Sequence, residues 1–198
     1  MASVISEDTD AGTEALLASR ADPRFFAALY DRYAAQLYRY AYQRVGAQTA
    51  EDLVADTFLA AFAQRDAYDP DRAPARPWLY GILTRKLARH HRAENARYRA
   101  FARSAPDPEA VDGPADQIAA RVTAGAARAP LARALRQLSA GDRHVLLLIA
   151  WSDLSYDEVS VALSIPLGTV RSRLNRARRK VREALGGTDP TLDPAVDR

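Results

Sequence analysis

The stretch SYDEVSVALSIPLGTVRSRLNRARRKVREAL, residues 155–185, decides how the chain is built. Ser155 opens a capping box, in which its hydroxyl accepts from a backbone N–H three residues on while the Glu158 carboxylate reaches back to the serine's own N–H. A short helix is therefore expected to start at Tyr156 and to run to about Leu163. Ser164, Pro166 and Gly168 then supply turn chemistry and leave only a brief break before helical spacing resumes. Two helices around so short a turn form a helix-turn-helix. In the second helix Val170, Leu174, Ala177 and Val181 recur at intervals of four, three and four, which makes one narrow apolar stripe. That stripe is expected to face the first helix.

Opposite the stripe lie Ser172, Asn175, Arg176 and Arg179, with Arg171 and Arg178 on one flank and Arg173 and Lys180 on the other. Over residues 171–183 seven cations stand against the single Glu183. A charge run by itself is ordinarily a solvated face. Behind a capped helix and a tight turn, this one has the form of a helix that enters the major groove of DNA, where only the first turns reach base edges. Arg171, Ser172, Asn175 and Arg176 are thus expected near bases, Arg matching the acceptors of guanine and Asn those of adenine. Arg173, Arg178, Arg179, Lys180 and Arg182 are expected on the phosphates.

Composition agrees with a nucleic-acid partner. The chain has 198 residues, 48% of them hydrophobic, one Met, and a net charge of only +3. The average hides segregation: residues 85–103 hold seven Arg or Lys against Glu94 alone, and Asp107, Glu109, Asp112 and Asp116 make the following stretch acidic. Two basic surfaces joined by an acidic connection point to two contacts with one polyanion. The absence of cysteine excludes a disulfide framework and a thiolate zinc site, and suits a cytoplasmic location. His90, His91 and His144 do not have metal-ligand spacing, so no metal, no cofactor and no catalytic residue is expected. No signal peptide or membrane-length apolar run is evident, and no membrane partner is expected.

Breakers divide the chain into an all-α arrangement of two small helical domains joined by a flexible linker. Residues 1–21 read as an acidic, largely flexible N-terminus, and residues 22–103 as an N-terminal helical domain that opens with Asp22 as N-cap and Pro23 in the first turn. Its first helix carries Phe26, Leu29, Tyr30, Tyr33, Leu37, Tyr40 and Ala41 on one face and ends near Gly46. A second helix, with Thr49 and Asp52 as a weak capping box, has Val54, Ala55, Phe58, Ala61 and Phe62 as its core stripe. Residues 66–76 are loop, and a third helix runs from Pro77 to about Arg103. Residues 104–115 are the linker, residues 116–185 the C-terminal domain containing the helix-turn-helix, and residues 186–198 a disordered tail. Within that domain Ser139 caps a helix over residues 140–151 with Val145, Leu148 and Ile149 in the core.

The third helix carries a second informative surface. Leu79, Leu83 and Leu87 should pack inward with Tyr80 and His90 near them, whereas Trp78, Ile82, Arg85, Arg89 and Arg92 share the other face. An exposed Trp and Ile in line with three Arg suit stacked bases and a held backbone. The bland alternative packs Trp78 under the preceding loop, since Trp is mostly buried.

Three segments, AEDLVADTFLAAF at residues 50–62, PWLYGI at 77–82 and GTVRSRLNRAR at 168–178, together resemble bacterial RNA polymerase sigma factors of the extracytoplasmic-function group. The resemblance covers roughly residues 22–185. It implies an initiation factor, not an enzyme, that binds core RNA polymerase, reads the minus-thirty-five promoter element as duplex and captures melted minus-ten DNA as single strand. The minus-thirty-five residues would be Arg171, Ser172, Arg173, Asn175, Arg176, Arg178 and Arg179, and the minus-ten residues Tyr68, Trp78, Arg85, Arg89 and Arg92. Residues 66–76 would form the pocket that receives a base, with Tyr68 and Trp78 as walls. Asp52, Leu53, Asp56 and Leu59, outside the core stripe, would meet the polymerase clamp.

The chain departs from its relatives where it has Arg85 and Arg89, at which they commonly carry Asn and often Asp. Both changes add positive charge. A separate anti-sigma protein is a further implied partner. A stand-alone helix-turn-helix regulator is the nearest alternative, and it lacks the dimerisation face it would need. A DNA recombinase using Ser155 or Tyr156 is more distant, because Ser155 is committed to a cap and no convergent base is evident.

Overall fold

A computed structural model describes residues 2–104 and 128–185. Among the described residues there are helices and no strands. Four helices, α1 (Ala2–Ala21), α2 (Phe26–Val45), α3 (Ala47–Ala63) and α4 (Ala75–Ser104), form the N-terminal unit. Four more, α5 (Arg128–Gln137), α6 (Ala140–Ser152), α7 (Tyr156–Leu163) and α8 (Leu167–Ala184), form the C-terminal one. The linker expected at 104–115, except its first residue, and the tail expected at 186–198 lie outside the described residues. So does the first part of the domain expected to begin at 116.

The segment expected as a largely flexible acidic terminus contains α1, which is packed on α2 and α4 with Leu16 and Ser19 fully buried. A Cβ on Gly12 would collide with the Tyr33 ring, so the bare glycine sets how closely α1 approaches α2. Arg20 donates from Nε to the Arg65 carbonyl at 2.9 Å and from Nη2 to the Tyr68 carbonyl, which ties α1 to the loop before α4. The Thr13 hydroxyl accepts from the Ala75 N–H at 3.1 Å, so one of the free N–H groups at the start of α4 is capped from another helix. These anchors are small or polar residues, which an apolar-stripe reading passes over.

Asp22 caps the turn Pro23–Phe25 by accepting from the Arg24 N–H at 3.0 Å, and α2 follows as expected. Its Leu29, Tyr33, Leu37, Tyr40 and Ala41 are buried, while Tyr30 is half exposed and lies 4.8 Å from the Phe58 ring. Gly46, at φ 84°, makes the corner between α2 and α3. Because α3 already starts at Ala47, Thr49 and Asp52 lie inside the helix and Thr49 is no cap. Within α3, Ala55 is exposed and Thr57 is buried in its stead, its hydroxyl satisfied by the Leu53 carbonyl at 2.6 Å.

In α4 Leu79, Leu83 and Leu87 are fully buried, as their spacing predicts. Ile82, expected on the outer face, is buried as well, because α4 packs on α7 as well as on α1, α2 and α3. Both C-terminal caps match expectation. The Ser139 hydroxyl accepts from the Asp142 N–H at 3.1 Å, and the Ser155–Glu158 box closes with bonds of 3.1 and 2.8 Å. Ser164, at φ 52°, ends α7, and α8 begins at Leu167 with Gly168 already inside it. Val170, Leu174 and Ala177 are buried against α5 and α6 as well as α7, so the stripe serves three helices and not the first helix alone.

Leu16→Ala tests whether α1 belongs to the fold. Truncating a fully buried Leu costs about 2–5 kcal/mol, so urea unfolding should show a matching loss. A change under about 0.5 kcal/mol, the range of surface substitutions, would show that α1 does not contribute to the core.

Candidate nucleic-acid interface

Packing of the α8 stripe against three helices turns the opposite face to solvent. Arg171, Ser172, Asn175, Arg176, Arg178 and Arg179 are all exposed there. Two of the cations are held from α6. The Arg173 guanidinium lies over Gly141, where an added Cβ would meet its Nη1 at 2.7 Å, so Arg173 is half-buried rather than a free phosphate contact. Arg176 Nε is 3.8 Å from Asp142 Oδ2, whose carboxylate is almost fully buried. Arg179 pairs with Glu183 of its own helix, at 3.8 Å and in solvent, a pair worth little. Ser172 donates to the Thr169 carbonyl at 3.1 Å.

On α4 Arg85, Arg89 and Arg92 are exposed as expected, but Trp78 is half-buried and packs on the core. Its ring is 4.9 Å from that of Tyr68, tilted by 54°. Tyr68 is 5% exposed, and its hydroxyl donates to the Ala73 carbonyl at 2.6 Å. Burial pushes its phenol pKa up. The two rings therefore form a fixed wall rather than two free stacking surfaces. They line a cleft of about 540 Å³ with Arg85, and its far side is Val161 and Ala162 of α7 and Ser164 just beyond it. On α3 Asp52, Asp56 and Leu59 are exposed, Leu59 by 68%, whereas Leu53 is half-buried against the core. Asp56 is also engaged by Lys86 Nζ at 3.5 Å. The minus-thirty-five, minus-ten and polymerase residues expected from sequence thus lie on three separate faces: α8, α4 with its preceding loop, and α3.

Sequence reasoning missed the residues that join the two units. Arg76 Nη1 donates to Glu158 Oε1 at 3.0 Å and its Nη2 to the Ser152 carbonyl at 2.6 Å. Gly81 lies under the Ala162 carbonyl, where a Cβ would come within 2.7 Å. An isolated glycine inside a helical pattern was the available signal for close packing.

A second junction is electrostatically unfavourable. Arg44 of α2 is 1% exposed, donates from Nη1 to Tyr40 Oη at 2.7 Å, and leaves Nε without a partner. It acts on His91 of α4 and on Arg143 and His144 of α6, and Arg173 adds positive charge beside His144. None of Arg44, His91, Arg143 or His144 has a carboxylate partner among the described residues. Burial, reinforced by Arg44 and the neighbouring cations, holds His91 down to about 4 and His144 to about 3. Both imidazoles are neutral at pH 7.

Among the described residues no helix is long and apolar enough to cross a membrane, and no group of three or more His, Cys, Asp or Glu could hold a metal ion. The family model for Sigma-70 region 2 matches residues 29–97, and that for Sigma-70, region 4 matches residues 128–181. The chain is 34% identical over 169 residues to the ECF RNA polymerase sigma factor SigL of Mycobacterium tuberculosis, covering 85% of this chain and 93% of that protein. It is also 34% identical over 139 residues to the RNA polymerase sigma factor CnrH of Cupriavidus metallidurans, covering 66% and 70%. The solved structure of CnrH in complex with the cytosolic domain of CnrY aligns with a TM-score of 0.61 at 26% identity, over 92% of this chain and 99% of that one. The sigma factor RpoE in complex with the anti-sigma factor NepR from Bartonella quintana has the same fold, with a TM-score of 0.60 at 24% identity over 83% and 98%.

The buried histidines give the fold a pH signature. Unfolded, each takes up a proton near pH 6.5; folded, His91 refuses it until about 4 and His144 until about 3. Their contribution to stability is therefore complete above pH 6.5 and is lost as pH falls below it, by about 1.4 kcal/mol per histidine per pH unit. The urea midpoint should fall between pH 7 and pH 5, and His144→Gln should flatten that fall. A midpoint independent of pH across this range would contradict the burial of both groups.

Proposed function

We propose that this chain, which belongs to the extracytoplasmic-function group of RNA polymerase sigma factors, grips promoter DNA at two points while bound to core RNA polymerase. Members of the family are transcription initiation factors that direct RNA polymerase. The observation that carries the finer reading is the division of labour between two cationic surfaces. One, on α8, is an exposed row of Arg, Ser and Asn. The other, on α4, is a row of Arg beside a cleft walled by two aromatic rings in tilted contact.

Duplex minus-thirty-five DNA is assigned to α8. Arg171, Ser172, Asn175 and Arg176 face the bases, while Arg178 and Arg179 hold phosphates and Arg173 steadies the helix on α6. Asp142 aims the Arg176 guanidinium. Melted minus-ten DNA is assigned to the α4 face, where Arg85, Arg89 and Arg92 follow the backbone and an unstacked base enters against Trp78, with Tyr68 behind it. Leaving the stack costs a base a few kcal/mol, which a protein cleft that receives it offsets. Asp52, Asp56 and Leu59 present an acidic rim around exposed apolar atoms to the polymerase clamp, with Leu53 behind them. Holding both domains on one polymerase makes the second DNA contact effectively intramolecular and raises affinity without new contacts.

An anti-sigma protein is a further proposed partner. Two sigma factors of the same fold were solved with a bound second protein, in one case an anti-sigma factor.

Reconstitution with core RNA polymerase tests the reading. The holoenzyme should make promoter-specific transcripts and render minus-ten thymines reactive to permanganate. Trp78→Ala should lower that reactivity with duplex binding retained, and unchanged opening would discard the strand-capture assignment. Asn175→Ala or Arg176→Ala should cost about 1–3 kcal/mol of discrimination at the minus-thirty-five element. Footprints in which both variants select the same sequence as strongly as the parent would discard the duplex assignment.

A further inference from the structure

We propose that the seam between α2, α4 and α6 binds a small tetrahedral oxyanion, a phosphate group, held by Arg44 and Arg143 with His91 beside them. The site is separate from both promoter-facing surfaces and does not depend on their assignment.

Three helices each bring to this seam one hydrogen-bonding nitrogen that the fold does not use. Arg44 Nε on α2, His91 Nε2 on α4 and Arg143 Nε on α6 are all buried without a partner. Both guanidiniums are anchored through their other nitrogens. Arg44, 1% exposed, donates from Nη1 to Tyr40 Oη at 2.7 Å, and its guanidinium carbon lies 5.3 Å from that ring's centroid. Arg143 donates from Nη2 to the Leu138 and Arg136 carbonyls at 3.1 and 3.2 Å, which pins it to the turn between α5 and α6. Each Nε is thus fixed inside the fold.

The charges are near one another as well as unpaired. After burial, Arg44 is the largest influence lowering both the His91 imidazole and the Arg143 guanidinium, and Arg143 acts on His91 too. The histidine answers by staying neutral, but an arginine does not give up its proton. No carboxylate among the described residues pairs with either guanidinium. Asp142, next to Arg143 in the chain, is committed to α8 instead, 3.8 Å from Arg176 Nε.

Buried charges are ordinarily paired, and a buried N–H without an acceptor calls for a bound water or ion. Water would satisfy the N–H groups and leave two positive charges uncompensated. A phosphate answers both needs, because arginine binds it through charge-assisted N–H···O bonds and its oxygens point in separate directions, as donors from three helices require. A carboxylate offers only two oxygens in one plane. These nitrogens are buried, whereas the arginines assigned to DNA are exposed, so a DNA backbone does not reach them. The ligand is therefore a small anion, either free phosphate or the terminal phosphate of a nucleotide.

Arginine Nε–H resonances report the site directly. In the full chain, near neutral pH and at constant ionic strength, exchanging sodium chloride for sodium phosphate should shift the Arg44 and Arg143 signals together and saturate at one anion per chain. General stabilisation by phosphate, which acts through its exclusion from the protein surface, does not saturate. Arg143→Lys keeps the charge but removes Nε, and should weaken phosphate binding by about tenfold or more, the loss of one charge-assisted hydrogen bond. Arg44→Met removes an uncompensated charge, so in chloride it should unfold at no lower urea concentration than the parent, and saturable stabilisation by phosphate should be confined to the parent. Adenosine diphosphate in place of phosphate identifies the source: tighter binding assigns the site to a nucleotide, weaker binding to the free anion. Signals that do not move, that drift without saturating, or an Arg44 signal that responds to phosphate as strongly in Arg143→Lys as in the parent, would overturn the proposal.

Discussion

Through its first three turns α4 has almost no free face, and most of the molecule depends on that constraint. An amphipathic helix ordinarily buries one stripe and leaves the rest to solvent. Here Leu79, Leu83 and Leu87 fill the core shared with the neighbouring helices, Ile82 is buried too, and Gly81 receives the backbone of α7. Each fully buried leucine is worth about 1.5–3 kcal/mol relative to exposure, which makes α4 the common support of both units. The clamp at Arg76, the ring pair at Tyr68 and Trp78, and the ion pair from Lys86 to Asp56 are all mounted on it or on the loop that leads into it.

What was legible in the sequence is what local chemistry determines. Asp22, Ser139 and Ser155 with Glu158 cap the turns they were expected to cap, because such bonds close within three residues and need nothing from the rest of the chain. The α8 stripe was readable for the same reason, since helical period alone decides which residues share a face. Long-range anchors were not readable. Gly12, Thr13 and Arg20 tie α1 to residues more than fifteen positions away, so residues 1–21 resembled a loose acidic terminus. Ile82 matched an outward position until α7 covered it.

The interface divides along the same line. Exposure of Arg171, Ser172, Asn175, Arg178 and Arg179 follows from the stripe opposite them. The restraint of Arg173 by Gly141 and of Arg176 by Asp142 comes from α6 and leaves no trace in the spacing of α8. Charge segregation, visible in composition, has a structural counterpart that composition hides. Cationic side chains are also buried inside, where burial together with Arg44 lowers the pKa of Arg143 and keeps the neighbouring His91 and His144 neutral. The exposed cations are the ones proposed to meet nucleic acid, and the buried ones lie outside that surface.

The account centres on two cationic surfaces, on α8 and on α4, proposed to grip one promoter while the chain is bound to core RNA polymerase. The most direct measurement is transcription from a fixed set of promoters by core RNA polymerase with and without the chain, with permanganate reactivity of the minus-ten thymines followed in the same complexes. Promoter-specific transcripts and reactive thymines only when the chain is present is the predicted result. Core polymerase that neither binds the chain nor gains promoter selectivity from it would contradict it.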